Sequence, residues 1–403
     1  MPPDGSATGL VGPGLAEGNA RESAKPLAAP AMSRRPLRGR RAAILGTVGL
    51  PPRYGGFETL ADQLVRAAET HGIADRFTVW CSRPQAGAAP PARHRGAALR
   101  YLRLQANGAS SIPYDGLSLL REASETNGAH SLLMLGVSGG LPLAALRPLT
   151  SRRIVVNIDG HEAGRAKWGP LARRVLAMSE ARAVAAADAV VADNAALAEE
   201  VAERHGRRPS VIAYGGDHVR DAPVGDISDL QLPDRYALAV ARAEPENNLD
   251  VILSAFQGGT LGPLVAVSNW AGTRHGRALK ARYRDIPGLH LVEAVHDPDR
   301  LRAIRERAWL YIHGHSAGGT NPSLVEMMNF GIPILSWDCV YNRTTTDGTT
   351  PCFADARGLA AHVSTLAGDA ALRAHIGDTL SAVAARRYRW ADIADAYFDI
   401  LDL

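Results

Sequence analysis

The sequence predicts an α/β protein of two Rossmann-like halves, and three observations carry that prediction. From Ala42 onward, short β-branched and aliphatic runs alternate with helical stretches, the pattern of βαβ units on a parallel sheet. A polar stretch from Asp217 to Asp234, with two prolines, interrupts the alternation, and a second alternating series follows. Two such halves joined by one linker face each other across a cleft, and ligands of open parallel sheets sit beyond the carboxyl ends of the strands.

In chain order, residues 1–40 mix Gly, Pro, Ala and Ser without apolar periodicity, as a disordered tail does. Met32 opens the run MSRRPLRGRRAAILG and is taken as the natural start, with the first 31 residues an upstream extension. Strands are expected at AAILGT, FTVWCS, LRYLRL, SLLMLG, RRIVVNID, AVVAD and SVIAYG, with helices from Phe57, after Pro113, from Pro170 and after AVVAD. The second series places strands at YALAVAR, GPLVAVS, LHLVEAV, AWLYIHG and GIPILSW, each followed by a helix. The resulting division is a basic tail at 1–41, an N-terminal half at 42–216, a linker at 217–234, a C-terminal half at 235–385 and a closing segment at 386–403. In that last segment Trp390 and Ile393 are expected to be buried.

Charge narrows the function classes. The 403 residues hold 45 Lys+Arg and 41 Asp+Glu, a formal net charge of +4. Residues 1–41 contain seven basic and three acidic side chains, so the remaining 362 carry 38 of each sign. A basic excess confined to a tail is poor evidence for a nucleic-acid surface on the folded body. The longest apolar stretch, Leu132 to Leu146, is too short and too rich in Gly and Pro to span a bilayer. Cys81, Cys339 and Cys352 are far apart and odd in number, which fits a reducing cytosol and neither a disulfide frame nor a zinc cluster.

Two loops carry chemistry. The first strand runs into Gly46-Thr47-Val48-Gly49-Leu50-Pro51-Pro52-Arg53-Tyr54-Gly55-Gly56-Phe57-Glu58. This is not G-x-G-x-x-G, so a dinucleotide site loses its main support. The paired Gly55 and Gly56 before a helix either let backbone N–H groups approach an anion or form an ordinary tight connection. In the second half, Tyr311 to Glu326 (YIHGHSAGGTNPSLVE) follows a strand and opens a helix. There Gly318, Gly319 and Thr320 offer backbone donors, Asn321 or Thr320 offers a cap, and Pro322 suits the first turn. A diphosphate at that helix start, with Glu326 accepting from ribose hydroxyls, is chemically coherent.

With these residues in view, the chain resembles family 4 glycosyltransferases of the two-domain GT-B fold, in particular the rhamnosyltransferase-like branch that builds bacterial surface polysaccharides. The matching segments are GTVGLPPRYGGFETLADQL, VVNIDG with RAKWG, ADAVVADN, IAYGGD, ARAEPENN and IHGHSAGGTNPSLVEMMNFGIP. The resemblance implies an N-terminal acceptor domain, a C-terminal donor domain and a final helix that crosses back to the N-terminal domain. It implies that Gly55 and Gly56 approach the donor, that Arg242 pairs with the diphosphate and that Glu326 holds the ribose. Two departures stand out: Asn247 and Asn248 occupy the place of a frequent lysine, and Gly318 that of the first of two glutamates. The second departure fits a less hydroxylated donor sugar such as a 6-deoxyhexose. Similar enzymes place a histidine or aspartate near the transferring carbon, which makes Asp159 the first catalytic candidate and His161 the second. Each also has a plain reading, as a strand-end turn residue and a loop histidine. Retaining transfer needs mainly electrostatic support for an oxocarbenium-like centre and a departing diphosphate.

The implied activity is therefore transfer of a deoxyhexose such as rhamnose from a nucleoside diphosphate sugar to a glycan or lipid-linked glycan, with no cofactor and no metal. Asp297-Pro298-Asp299 has a metal-binding form but precedes a helical run and is read as a cap. His313-Gly314-His315 lacks a third ligand of suitable spacing. The stretch from Lys167 to Leu176 and the basic tail would suit an anionic membrane surface, placing a cytoplasmic enzyme at the inner face of the plasma membrane, although a solvated helix face packed on its own sheet is the favoured reading of the stretch. Two other classes remain open: a nucleotide-sugar epimerase, which needs no acceptor, and a non-catalytic nucleotide- or glycan-binding relative.

Overall fold

The structure, a computed structural model, describes residues 39–52, 55–83, 89–106, 108–126, 128–160 and 169–403. They form one compact unit. The tail expected through residue 41 is described only from Gly39, and its Arg40 is ion-paired with Asp402 at 3.1 Å. His161 and the Lys167–Trp168 pair lie outside the described residues.

The first sheet contains β1 (Ala42–Leu45), β2 (Phe77–Ser82), β3 (Arg93–His94), β4 (Ala97–Leu102), β5 (Ser131–Leu135), β6 (Arg153–Ile158), β7 (Ala189–Ala192) and β8 (Ser210–Val211). Its order is β3-β4-β2-β1-β5-β6-β7-β8, parallel apart from the antiparallel β3–β4 edge. The second sheet contains β9 (Tyr236–Val240), β10 (Leu264–Ser268), β11 (Leu289–Glu293), β12 (Ala308–His313), β13 (Ile334–Trp337) and β14 (Cys352–Phe353). Its order is β11-β10-β9-β12-β13-β14, parallel throughout. Parallel strands covered on both faces need unbroken apolar runs. The central strands supply them: every residue of β1, β5 and β10 is buried, whereas edge strand β11 is half-exposed.

Helices α1 (Gly56–Thr70), α2 (Ser111–Ser124), α3 (Gly140–Leu146), α4 (Pro170–Ala186) and α5 (Ala195–His205) belong to the first half. The second half has α6 (Leu249–Phe256), α7 (Arg274–Tyr283), α8 (Pro298–Glu306), α9 (Pro322–Met327), α10 (Val340–Thr345), α11 (Ala356–Gly368) and α12 (Ala370–Arg387). Side-chain caps set several starts, among them Asn194 on α5, Thr273 on α7 and Asp297 on α8. The Asp297 carboxylate accepts from the Asp299 and Arg300 amides, so the D-P-D segment is a cap.

The chain breaks at Tyr388 and Arg389, and α13 (Trp390–Ile400) returns to the first half. Phe398 packs on Phe77 and His71 with ring centroids 5.7 Å away from each. Ser131 Oγ donates to the Leu401 carbonyl at 2.6 Å, and Arg153 Nε to that of Ile400 at 2.7 Å. Trp390 and Ile393 are buried, Trp390 against Tyr214. One apolar cluster therefore runs from the second sheet through the C-terminal helices to one face of the first sheet, and a second cluster covers that sheet's other face. Residues 217–234 are docked on α8, where Arg300 pairs with Asp229 at 2.7 Å and Arg302 donates to the Arg220 carbonyl.

Candidate functional site

Sheet topology places the site. β1 lies between β2 and β5, and β9 between β10 and β12, so the winding direction reverses at β1/β5 and at β9/β12. Loops at such reversal points splay apart and leave a crevice at the carboxyl edge. The loops after β1, β6, β7, β9 and β12 meet around one cleft of about 840 Å³, counting its solvent-open mouth.

From the first half come Gly56 and Phe57 at the start of α1, Asn157 and Asp159 at the end of β6, Asp193 after β7, and Tyr214. Gly55 stands just behind this lining, at φ 146°, and a Cβ there would lie 1.9 Å from Glu58 Oε2. The glycine is therefore required to seat the buried Glu58 carboxylate beneath the loop. Burial raises the pKa of Glu58, partly offset by its own amide, that of Val48 and the charge of Arg242. Gly56 does reach the cleft, and its carbonyl accepts from Tyr214 Oη at 2.5 Å. A Cβ on Gly56 would lie 3.7 Å from Pro322, so the starts of α1 and α9 converge.

From the second half, Arg242 follows β9 and is exposed to the cleft, with no hydrogen bond or ion pair of its guanidinium among the described residues. Its carbonyl accepts from Asn247 Nδ2 at 2.8 Å. The buried Asn247 thus lines the cleft mainly as the brace of the turn that carries Arg242. Asn321 caps α9, its Oδ1 accepting from the Ser323 amide at 3.1 Å.

The loop at 318–320 departs from the expected array of free backbone donors. Gly318 and Gly319 line the cleft, but the Gly319 amide donates to the Asp159 carbonyl at 3.2 Å. Thr320 is buried outside the lining, its hydroxyl donating to the Asp193 carbonyl at 2.5 Å. Asn194 Nδ2 reaches Thr320 Oγ1, the Tyr341 carbonyl and Thr345 Oγ1 at 3.5, 3.2 and 3.1 Å. In this arrangement the Gly319 amide and the Thr320 hydroxyl join the two halves.

Glu326 stands apart from the cleft: its carboxylate pairs with the buried Arg305 and lies 3.7 Å from His218 Nε2. In this arrangement the carboxylate neutralises a buried guanidinium, so a ribose role would require it to serve both partners. Of the catalytic candidates, Asp159 lines the cleft and His161 falls outside the described residues.

Three cleft residues were given no role by the sequence, although Asp193 and Glu246 lie within the matching segments ADAVVADN and ARAEPENN. Asp193 is buried, and its Oδ1 has no hydrogen-bond partner. Burial, and then the neighbouring Asp159 charge, hold its carboxyl well above the usual carboxylate range. Glu246 also lines the cleft with an unpartnered Oε2. Tyr397 of α13 accepts at Oη from Asn157 Nδ2, 2.5 Å away, so the returning helix forms part of the cleft wall. His315 lines the cleft and stacks on His313, centroids 4.4 Å apart; burial and then His315 keep His313 neutral. Among the described residues, no group of three or more His, Cys, Asp or Glu side chains could hold a metal ion.

A second, more open groove of about 970 Å³ lies at the carboxyl ends of β2 and β4. Arg83, Arg103 and Arg121 surround an apolar floor of Leu102, Leu104 and Leu117. The three guanidinium groups form no ion pair among the described residues, and no carboxylate lines the groove. No helix among the described residues is long and apolar enough to cross a membrane.

The family described as "Domain of unknown function (DUF1972)" matches residues 40–217, the span of the first sheet. No curated protein matches this sequence. Among solved structures, sucrose-phosphate synthase from Thermosynechococcus elongatus is similar, with a TM-score of 0.74 at 16% identity over 90% of this chain and 98% of that one. HepE from Anabaena in complex with UDP-glucose gives 0.64 at 15% identity over 90% and 99%. The trehalose 6-phosphate synthase from Burkholderia multivorans gives 0.65 at 14% identity over 90% and 96%. At such identities the likeness concerns architecture alone. Together with the two facing parallel sheets and the returning α13, it establishes that this chain has the GT-B fold.

Proposed function

We propose that the protein is a glycosyltransferase that moves a sugar from a nucleoside diphosphate donor to a glycan or lipid-linked glycan acceptor in surface polysaccharide biosynthesis. The observation that carries this reading is Arg242, an exposed guanidinium without an ion pair among the described residues, at the reversal point of the second sheet and facing a cleft walled by the other half. A guanidinium fork suits a diphosphate, whose charge grows as it departs. Support also comes from the structural neighbours: HepE is seen with UDP and UDP-glucose, and two others are named as sugar synthases.

In this reading Arg242 holds the diphosphate, Asn247 keeps that arginine's turn in place, and Asp159 faces the transferring carbon from the first half, where its charge would favour an oxocarbenium-like centre and transfer with retention. Closure of the two halves excludes water from the bond being broken. Gly318, which brings no carboxylate to the donor sugar, favours a deoxyhexose such as rhamnose. The arginine-lined groove suits an acceptor bearing phosphate, as a lipid-linked glycan does, and such an acceptor places the enzyme at the cytoplasmic face of the membrane.

A thermal-shift panel of UDP, GDP, dTDP and their sugars tests the reading. One nucleotide should raise the melting temperature, and Arg242→Ala should weaken that nucleotide by about tenfold to a hundredfold while leaving the ligand-free melting temperature unchanged. The absence of a shift with every nucleotide would overturn it. Release of the nucleoside diphosphate only when acceptor is added separates transfer from epimerisation, which converts the donor alone.

A further inference from the structure

Among the cleft groups that the mechanism above leaves without a role is Asp193. Asp193 follows β7 and Asp159 follows the adjacent β6, so two carboxylates stand side by side at the carboxyl edge of the first sheet, both lining the cleft. Asp193 is only 7% exposed, and its Oδ1 meets no donor. A buried carboxylate short of hydrogen-bond donors is costly in its charged form, and Asp193 still forms part of the cleft wall.

The surroundings say what kind of partner. A Cβ at Gly319 would lie 1.7 Å from Asp193 Oδ1, so only glycine allows this loop to lie over the carboxylate. Thr320 donates to the Asp193 backbone carbonyl and Gly319 to that of Asp159, which fixes the backbone at both aspartates against the loop that follows β12. Among the described residues the lining brings Asp159, Asp193 and Glu246 to the cleft, and Arg242, its one arginine, follows a strand of the other sheet. A neutral group with several O–H donors fits, because a carboxyl accepts from hydroxyls and, in its neutral form, also donates to them.

We infer that Asp193 forms, beside Asp159, a subsite for hydroxyls of the transferred sugar, and so decides which sugar is held while Arg242 holds the diphosphate. The assignment rests on the glycosyltransferase reading and divides its donor site between the halves: nucleotide and diphosphate on the second, sugar on the first. Asp193 is then a specificity residue whose loss alters how well the sugar portion binds and leaves the nucleotide portion alone.

Isothermal titration of the full chain and of Asp193→Ala and Asp193→Asn, with UDP, UDP-glucose, GDP, GDP-mannose, dTDP and dTDP-rhamnose as probes, tests this. For the nucleotide that binds the wild type, Asp193→Ala is expected to keep the Kd of the diphosphate within about twofold and to change the ratio of sugar-nucleotide to diphosphate affinity by about tenfold. Asp193→Asn, which retains an acceptor and a donor, should recover part of that ratio. Bound diphosphate reports that each variant is folded. An unchanged ratio in Asp193→Ala, or an equal loss for diphosphate and sugar nucleotide, overturns the subsite while leaving the glycosyltransferase reading standing. Failure of the wild type to bind any of the six removes that reading and the subsite with it.

Discussion

Glu326 and Arg305 show at the residue scale how one contact competes with an assignment. A carboxylate one turn into a helix, after a glycine-rich loop, looks from the sequence like a ribose acceptor, yet it is paired with a guanidinium that is 4% exposed. Removing one partner of a buried pair costs about 3–5 kcal/mol, because the other charge stays behind. Glu326→Ala should therefore lower unfolding stability by about 3 kcal/mol, measured by urea denaturation, while any residual folded protein keeps its nucleotide affinity. A weaker nucleotide with unchanged stability would restore the ribose role. Asp115 on α2 offers a second residue-scale test. It is 1% exposed, receives the Ser138 hydroxyl, and burial raises its pKa to about 7 from an ordinary 3.8. A carboxyl whose folded pKa is raised binds its proton more tightly in the native state, so its contribution is fully present below pH about 4 and is lost as pH rises towards about 7. The stability of the wild type relative to Asp115→Asn should fall by about 4 kcal/mol across that window, read from denaturation midpoints at pH 4, 5.5 and 8. A flat difference would mean that the site is less desolvated than its burial indicates.

Among the elements, the strands were legible and the loops were not. Continuous apolar runs such as SLLML and LVAVS are buried on both faces, so composition alone marks them, and Asp297 is visible as a cap because the rule is local. The two-residue strands β3 and β14 give too short a pattern to notice. Gly318, Gly319 and Thr320 could be marked as a special loop from their composition. Their bonds to Asp159 and Asp193 could not, since those partners are more than 120 residues away and the contact exists only once both sheets are built. For the same reason Asp193 has no role visible from the sequence beyond its place in ADAVVADN. The loop's demand for glycine can be tested directly. Gly319→Ala puts a methyl carbon within 1.7 Å of Asp193 Oδ1, so the loop can no longer lie against the first half. Turnover with the identified donor is expected to fall on the order of 100-fold, the effect of misplacing reacting groups by about 1 Å. X-ray scattering should show a larger radius of gyration with each sheet still folded. Unchanged scattering and unchanged rate would mean that the loop is slack.

Over the whole molecule, the placement of charge separates substrate binding from membrane attachment. Beyond residue 41 the chain carries equal numbers of acidic and basic side chains, so any anion is met by local groups such as Arg242 in the cleft or the three arginines at the ends of β2 and β4. The +4 excess belongs to residues 1–41, but the last part of that segment is already committed to the fold. Arg40 pairs with Asp402, and the Arg41 carbonyl accepts from the His130 and Ser131 amides beside β5. A truncation beginning after Arg41 would therefore disturb the first sheet and confuse loss of charge with loss of structure. Beginning at Gly39 instead keeps both contacts and removes Arg21, Lys25, Arg34, Arg35 and Arg38. Each cation near an anionic bilayer is worth roughly 1 kcal/mol, so the tail, with three acidic residues among its own, should add a modest, salt-sensitive attraction. In flotation with vesicles containing 30% phosphatidylserine, the full chain is expected to rise with the lipid at low salt and to be released at 0.5 M NaCl, where screening is short-ranged. The chain beginning at Gly39 should stay at the bottom with its melting temperature unchanged. Equal flotation of both would move the membrane contact to the folded body, with the Arg83, Arg103 and Arg121 groove as the first surface to neutralise. Negligible flotation of both would leave the basic tail without a membrane role.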